Sequence, residues 1–133
     1  MSQRPSLLLL GSAIVYFAAA LPLLFAPEET LAFAGAGASS LDAALLQVLG
    51  SAVFGFAMLN WQNRHSRIGG IFGRPVVAAN LAHAGTAALL LGKVAKRAAF
   101  PPLLVAVLAV YTVLAIAFAF KFFVQPAGPA ASE

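Results

Sequence analysis

The sequence predicts an all-α integral membrane protein, an antiparallel four-helix bundle with a short interfacial helix between its first two spans. Three observations predict it. Four long runs carry no charge: Leu7–Ala26, Ala43–Asn63, Pro75–Gly92 and Ala98–Phe120. Hydrophobic residues make up 62% of the 133 and charged residues only 9%, whereas a soluble domain carries about 25% charged residues. The apolar runs also do not alternate with period two, so they read as helices rather than as strands of a membrane barrel. Each run approaches the roughly 20 residues that a helix needs to cross a hydrocarbon core of about 30 Å. The expected spans are about 7–26, 42–62, 75–92 and 100–122, in a single domain over 1–124. Residues 125–133 read as a flexible tail.

The first run exceeds the usual hydrophobic segment of a signal peptide, so it reads as a retained helix bent at Pro22 rather than a cleaved leader. "PEETLAFAG" follows. Pro27 suits a first helical position, and Glu28 and Glu29 suit the positive end of a helix dipole. The stretch therefore reads as a short interfacial helix ending near Gly35. Ser39 and Asp42 have the spacing of a capping box for the second span. In that span, Gly50, Ser51 and Gly55 offer a small-residue face, with Ser51 and Gly55 as a small-xxx-small pair. In the third span, Ala78, Ala79, Ala82, Gly85 and Ala88 do the same. The fourth is bulkier, with Phe118, Phe120, Phe122 and Phe123, and reads as facing more lipid.

Between the second and third spans lies "RIGGIFGRP". Trp61 just before it fits an aromatic anchor at the membrane interface. Its glycines Gly69, Gly70 and Gly73 permit a reversal with positive φ, and Pro75 suits the first position of the next helix. Arg64, Arg67 and Arg74 are candidates for contact with anionic headgroups. Arg4, Arg64, Arg67, Arg74 and Lys121 fall on one side, and Lys93, Lys96 and Arg97 on the other. Five against three places both termini in the cytoplasm, most naturally at a bacterial inner membrane.

Polar residues at membrane depth are few, which makes each a candidate site. Asn80 and His83, at i and i+3, share a helical face. Tyr16, Gln47 and Tyr111 are the partners expected across the bundle. Two readings stand open. Asn80 and His83 either tie helices together or meet a ligand, with His83 able to carry a proton. Asn60, near the end of the second span, and Thr112, midway along the fourth, are further polar residues within the spans.

The chain has no cysteine and four acids, Glu28, Glu29, Asp42 and Glu133. No carboxylate lies within a charge-free run. That leaves no serine-type triad, no carboxylate pair and no donor set for a metal. No cofactor motif is present, and "GGIFGR" lacks the spacing of a phosphate loop. The net charge of +4 fits a partner in anionic lipid rather than in nucleic acid.

The first-span closure "LFAPEETLAF", the glycine-rich "LLQVLGSAVFGFAMLNW" and the basic turn after it resemble the small four-span DoxX-like membrane proteins of bacteria. The resemblance covers about residues 7–123. It implies a four-helix bundle, in some members an accessory subunit of a quinone-linked oxidation complex, and it carries no catalytic motif onto positions here. The four-span enzymes that conjugate glutathione to lipids use a Glu within their spans, which this chain lacks. The expected function is a non-catalytic accessory or interaction subunit that holds a lipid or quinone-like ligand between its helices, within a larger complex or a homo-oligomer. The alternatives are a small oligomeric transporter of a hydrophobic or weakly ionisable solute, and an enzyme on a hydrophobic substrate using His83.

Overall fold

The computed structural model describes residues 5–37, 39–66, 70–71, 73–96 and 101–124. They form five helices: α1 (Leu7–Phe25), α2 (Pro27–Phe33), α3 (Ser40–Gln62), α4 (Gly73–Ala95) and α5 (Pro102–Val124). No strand occurs among the described residues. α1, α3, α4 and α5 are long and apolar enough to cross a membrane, at 19, 23, 23 and 23 residues. At 1.5 Å per residue they span about 28–35 Å, the thickness of a hydrocarbon core.

Local chemistry sets the ends. Ser6 sits at the N-cap of α1 with extended backbone, and its hydroxyl accepts from Leu9 N–H. Pro27 stops α1, because a residue before proline is pushed out of the helical region. Ala26 accordingly sits at φ −139°, ψ 54°. The Thr30 hydroxyl donates back to the carbonyls of Ala26 at 2.7 Å and Pro22 at 3.3 Å, a second donor to oxygens that already accept from Thr30 N–H and Ala26 N–H. α2 has Pro27 at its start and Glu28 and Glu29 in its first turn. It ends in a Schellman motif: Ala36 N–H donates to Leu31 O, Gly35 N–H to Ala32 O, and Gly35 takes φ 76°. Ser39 and Asp42 form the expected capping box of α3, each side chain accepting from the other's backbone N–H.

Several boundaries differ from the sequence expectation. α3 starts at Ser40, immediately after its cap. α4 runs from Gly73 to Ala95 rather than from 75 to 92, and α5 extends to Val124. Pro75 is thus the third residue of α4, a place it tolerates because first-turn N–H groups have no helical acceptor. Gly73 is helical rather than the left-handed turn residue expected. Arg4, Arg67, Gly69, Arg97 and the 125–133 tail lie outside the described residues.

The helices pack as two close pairs. In the first, Leu24 at the end of α1 meets Gln47 early in α3, Ser12 meets Asn60, and Ser6 N–H donates to Arg64 O at 2.6 Å. In the second, His83 of α4 meets Tyr111 of α5, and Arg74 lies over the Phe122 ring. The pairs close on a core that includes Leu9, Val53, Val77, Ala84 and Phe118. In α5 only Leu114 and Phe118 are buried, so most of its bulk faces outward.

Gly50 lets the first pair approach. A Cβ there would lie 2.8 Å from Leu23 Cβ and 3.2 Å from the Leu23 carbonyl carbon. The anticipated Ser51/Gly55 pair is not part of this contact. Both residues are exposed, and a Cβ on Gly55 meets nothing within 4 Å. A Cβ on Gly85 likewise meets nothing within 4 Å. Gly50→Ala should therefore destabilise the protein by about 1–3 kcal/mol through overpacking. Gly55→Ala should be neutral or stabilising by up to about 1 kcal/mol, from helix propensity alone. Detergent denaturation of the two variants side by side checks the contrast.

Candidate functional site

Two polar layers lie one above the other inside the bundle. The first joins α1, α3 and α4 through Ser12, Asn60 and Asn80, all at most 1% exposed. Asn60 Nδ2 donates to Asn80 Oδ1 at 2.9 Å and to Ser12 Oγ at 2.9 Å. Asn80 Nδ2 donates to Asn60 Oδ1 at 2.6 Å and to Val76 O at 2.8 Å. Ser12 Oγ donates to Leu9 O at 3.1 Å. Both amides thus use both N–H groups and their oxygen, which leaves neither with a donor to offer a ligand. Asn80 is a tie between helices.

The second layer takes one ring from each long helix: Tyr16 (α1), Phe56 (α3), His83 (α4) and Tyr111 (α5). His83 stacks on Phe56 with centroids 4.4 Å apart and planes 16° from parallel. It meets Tyr16 and Tyr111 edge-on at 5.7 and 5.4 Å. His83 Nε2 lies 3.2 Å from Tyr111 Oη, a hydrogen bond whose direction follows the imidazole tautomer. The Tyr16 hydroxyl is buried and has no hydrogen-bond partner. A buried polar group in that state costs about 1–3 kcal/mol.

Two grooves reach this layer. One of about 570 Å³ lies between α3 and α4, with Phe56, Ala79, His83 and Thr86 among its walls. The other, of about 180 Å³, lies between α1 and α5 and is lined by Val15, Tyr16, Ala19, Val107 and Tyr111. An apolar body lying in either groove would bring its polar end to an imidazole or a phenol. Those groups can donate and accept hydrogen bonds. Asp42, the one acid within a long helix, is an exposed cap residue far from the rings.

The structure brings together Tyr16, His83 and Tyr111, places Asn80 one turn away, and leaves Gln47 out. Gln47 is exposed and donates to Leu24 O at 3.0 Å. It precedes Phe56 by nine residues of α3, about 14 Å along the axis, and its bond holds the far end of the α1/α3 pair. Arg64 Nη1 donates to Trp61 O at 2.6 Å, and its guanidinium lies 4.2 Å above the Trp61 ring. Arg74 sits in the first turn of α4, 5.3 Å from the Phe122 ring. Arg67 lies outside the described residues. Phe56 and the hydrogen-bonding roles of Ser12 and Asn60 are absent from the sequence reading, which counts Gly11 and Ser12 only as small residues of the first span. The available signal was spacing. Ser12 and Tyr16, Phe56 and Asn60, and Asn80 and His83 are each three or four residues apart, so each helix sets one tie and one ring on the same face. In comparisons with known proteins, no family model matches the chain, and no curated protein or solved structure matches it.

Removing either amide strands the other. Asn60→Ala and Asn80→Ala should each destabilise by about 1–3 kcal/mol. The double variant should cost less than the two together, with a coupling of about 0.6–2 kcal/mol. A double-mutant cycle in mixed micelles measures it.

Proposed function

We propose that the chain is a membrane-embedded antiparallel four-helix bundle that holds an amphipathic lipid or quinone-like molecule against the Tyr16–His83–Tyr111 layer. It acts as a non-catalytic accessory or interaction subunit, of the DoxX-like kind that the sequence resembles. The observation that carries this reading is the Tyr16 hydroxyl, buried without a partner on a side chain that lines the groove between α1 and α5. A ligand carbonyl or hydroxyl would satisfy it. The order of contacts along each close pair supports the antiparallel arrangement. The apolar character of the four long helices supports placement in a bilayer, and α2, with its two exposed glutamates, suits an interface.

The rings alone hold no carboxylate to pair with His83, so binding is a better account of them than turnover. The proposal predicts opposite effects from one substitution. Tyr16→Phe deletes a hydroxyl that has no partner, so the ligand-free protein should gain about 1–3 kcal/mol. The same variant should retain less of whatever small molecule co-purifies with the wild type, as read by mass spectrometry of gently extracted protein. A variant that melts lower and keeps its full small-molecule complement would count against the reading.

Orientation follows the same proposal. Arg64 and Arg74 belong to one end of the bundle, because Asn60 and Asn80 lie level and the two arginines follow and precede them by a few residues. With Arg67 they would face the cytoplasm of a bacterial inner membrane, with both termini on that side. Neutralising all three should reverse or scramble the topology. Reporter tags at both termini that stay cytoplasmic after that change would remove this support.

A further inference from the structure

A third groove lies on the outer face of the α1/α3 pair, away from the ring layer. It encloses about 470 Å³ and is lined by Ile14, Phe17, Leu21, Met58 and Trp61, with Ala13 and Ala57 beneath. Along α1 it covers Ala13 to Leu21, about 12 Å. Its walls are hydrocarbon and aromatic throughout.

One end of this groove is distinct. The Trp61 ring forms its wall there, and the Arg64 guanidinium lies on that ring at 4.2 Å. Arg64 is held in place by its Nη1 bond to Trp61 O and by its own carbonyl, which accepts from Ser6 N–H at 2.6 Å. A guanidinium has five N–H groups, and the bond to Trp61 O uses one. The three described acids sit at the opposite end of the helix pair. Glu28 and Glu29 follow the far end of α1, and Asp42 opens α3, 22 residues before Arg64, about 33 Å along the axis. The guanidinium charge over the Trp61 ring is therefore not balanced by the protein's described carboxylates.

We propose that this groove is a binding site for one anionic phospholipid. An acyl chain lies between α1 and α3, and the headgroup phosphate is held by Arg64 above Trp61. The occupant is set by the combination of a long hydrocarbon slot and a positioned arginine at its mouth. A free phosphate would leave the slot unfilled, and a zwitterionic lipid would bring a second, repelling cation to the guanidinium.

Trp61 is the only tryptophan and is part of the groove wall, so its fluorescence reports occupancy directly. The full-length protein is reconstituted with phosphatidylcholine or phosphatidylglycerol brominated in the acyl chain, and quenching is followed against lipid mole fraction. Brominated phosphatidylglycerol should bind about fivefold better than brominated phosphatidylcholine, the weight of one arginine near an anionic headgroup. Arg64→Gln should abolish that preference and Arg64→Lys should keep most of it. Ala18→Phe fills the groove from an exposed position and should reduce specific quenching by at least half, with helicity by circular dichroism unchanged. Equal quenching by the two lipids in the wild type overturns the proposal. So does a preference that survives Arg64→Gln, or one that Ala18→Phe leaves intact. Trp61 shielded from both lipids by a second copy of the chain, seen as a crosslinked dimer, overturns it as well.

Discussion

The reciprocal Asn60–Asn80 amide pair is the contact on which the arrangement of the long helices depends. A helix in an apolar medium satisfies its own backbone, so the backbone does not say which neighbour it faces or at what height. Leu and Ala side chains discriminate weakly, because lipid is as apolar as they are. A buried primary amide does discriminate, since its two donors and its acceptor must all find partners. Asn60 finds them on α1 and α4 at once, through Ser12 and Asn80. Rotating or sliding any of these helices by one residue would strand several polar atoms together. The tie thus fixes height and rotation for α1, α3 and α4.

The ring layer is a consequence of that register. Tyr16, Phe56 and His83 stand three or four residues from Ser12, Asn60 and Asn80 on the same helical faces. Once the amides are level, the rings are brought level too, about one turn away. Tyr111 joins from α5, which contributes no residue to the amide tie and is positioned by close packing on α4 and by the His83 bond. Gly50 completes the arrangement at the other end, where the α1 backbone comes against α3. Two devices of different kinds, a hydrogen-bond tie and a close backbone approach, therefore hold the same helix pair at points some ten residues apart.

Much of this was legible in the sequence, for identifiable reasons. The four long helices follow from charge-free runs, and the α2 end and α3 start from Gly35, Ser39 and Asp42, because these signals are local. The helix extensions through Pro75 and Lys93 were not legible, since a first-turn proline and a last-turn lysine are each compatible with helix or loop. In the sequence Gln47 groups with His83, because both are polar residues in apolar runs. Composition along one helix does not say at what depth its polar atoms meet another helix, and Gln47 in fact reaches a backbone carbonyl left open where α1 ends. Ser51 and Gly55 had the spacing of a packing motif yet face outward. Smallness is necessary for close approach and does not specify which small residue is used. Ser12 reads in the sequence only as a small residue of the first span, because an isolated serine in a helix usually bonds its own backbone. It does so here, and the same oxygen also accepts from Asn60.

The two polar layers divide the demands that a bundle of this size faces. The Asn layer is closed, with every donor used inside the protein, and it carries structural specificity. The ring layer is open. Its imidazole and phenols border grooves, and the Tyr16 oxygen is left without a partner. Had stability alone shaped this level, phenylalanine at position 16 would fill the same volume without burying an oxygen. The partnerless hydroxyl stands one turn from a fully satisfied network, so the residues that hold the helices together are distinct from those that the proposed ligand would meet. That separation would allow a bound molecule to enter or leave without breaking the tie that sets the fold.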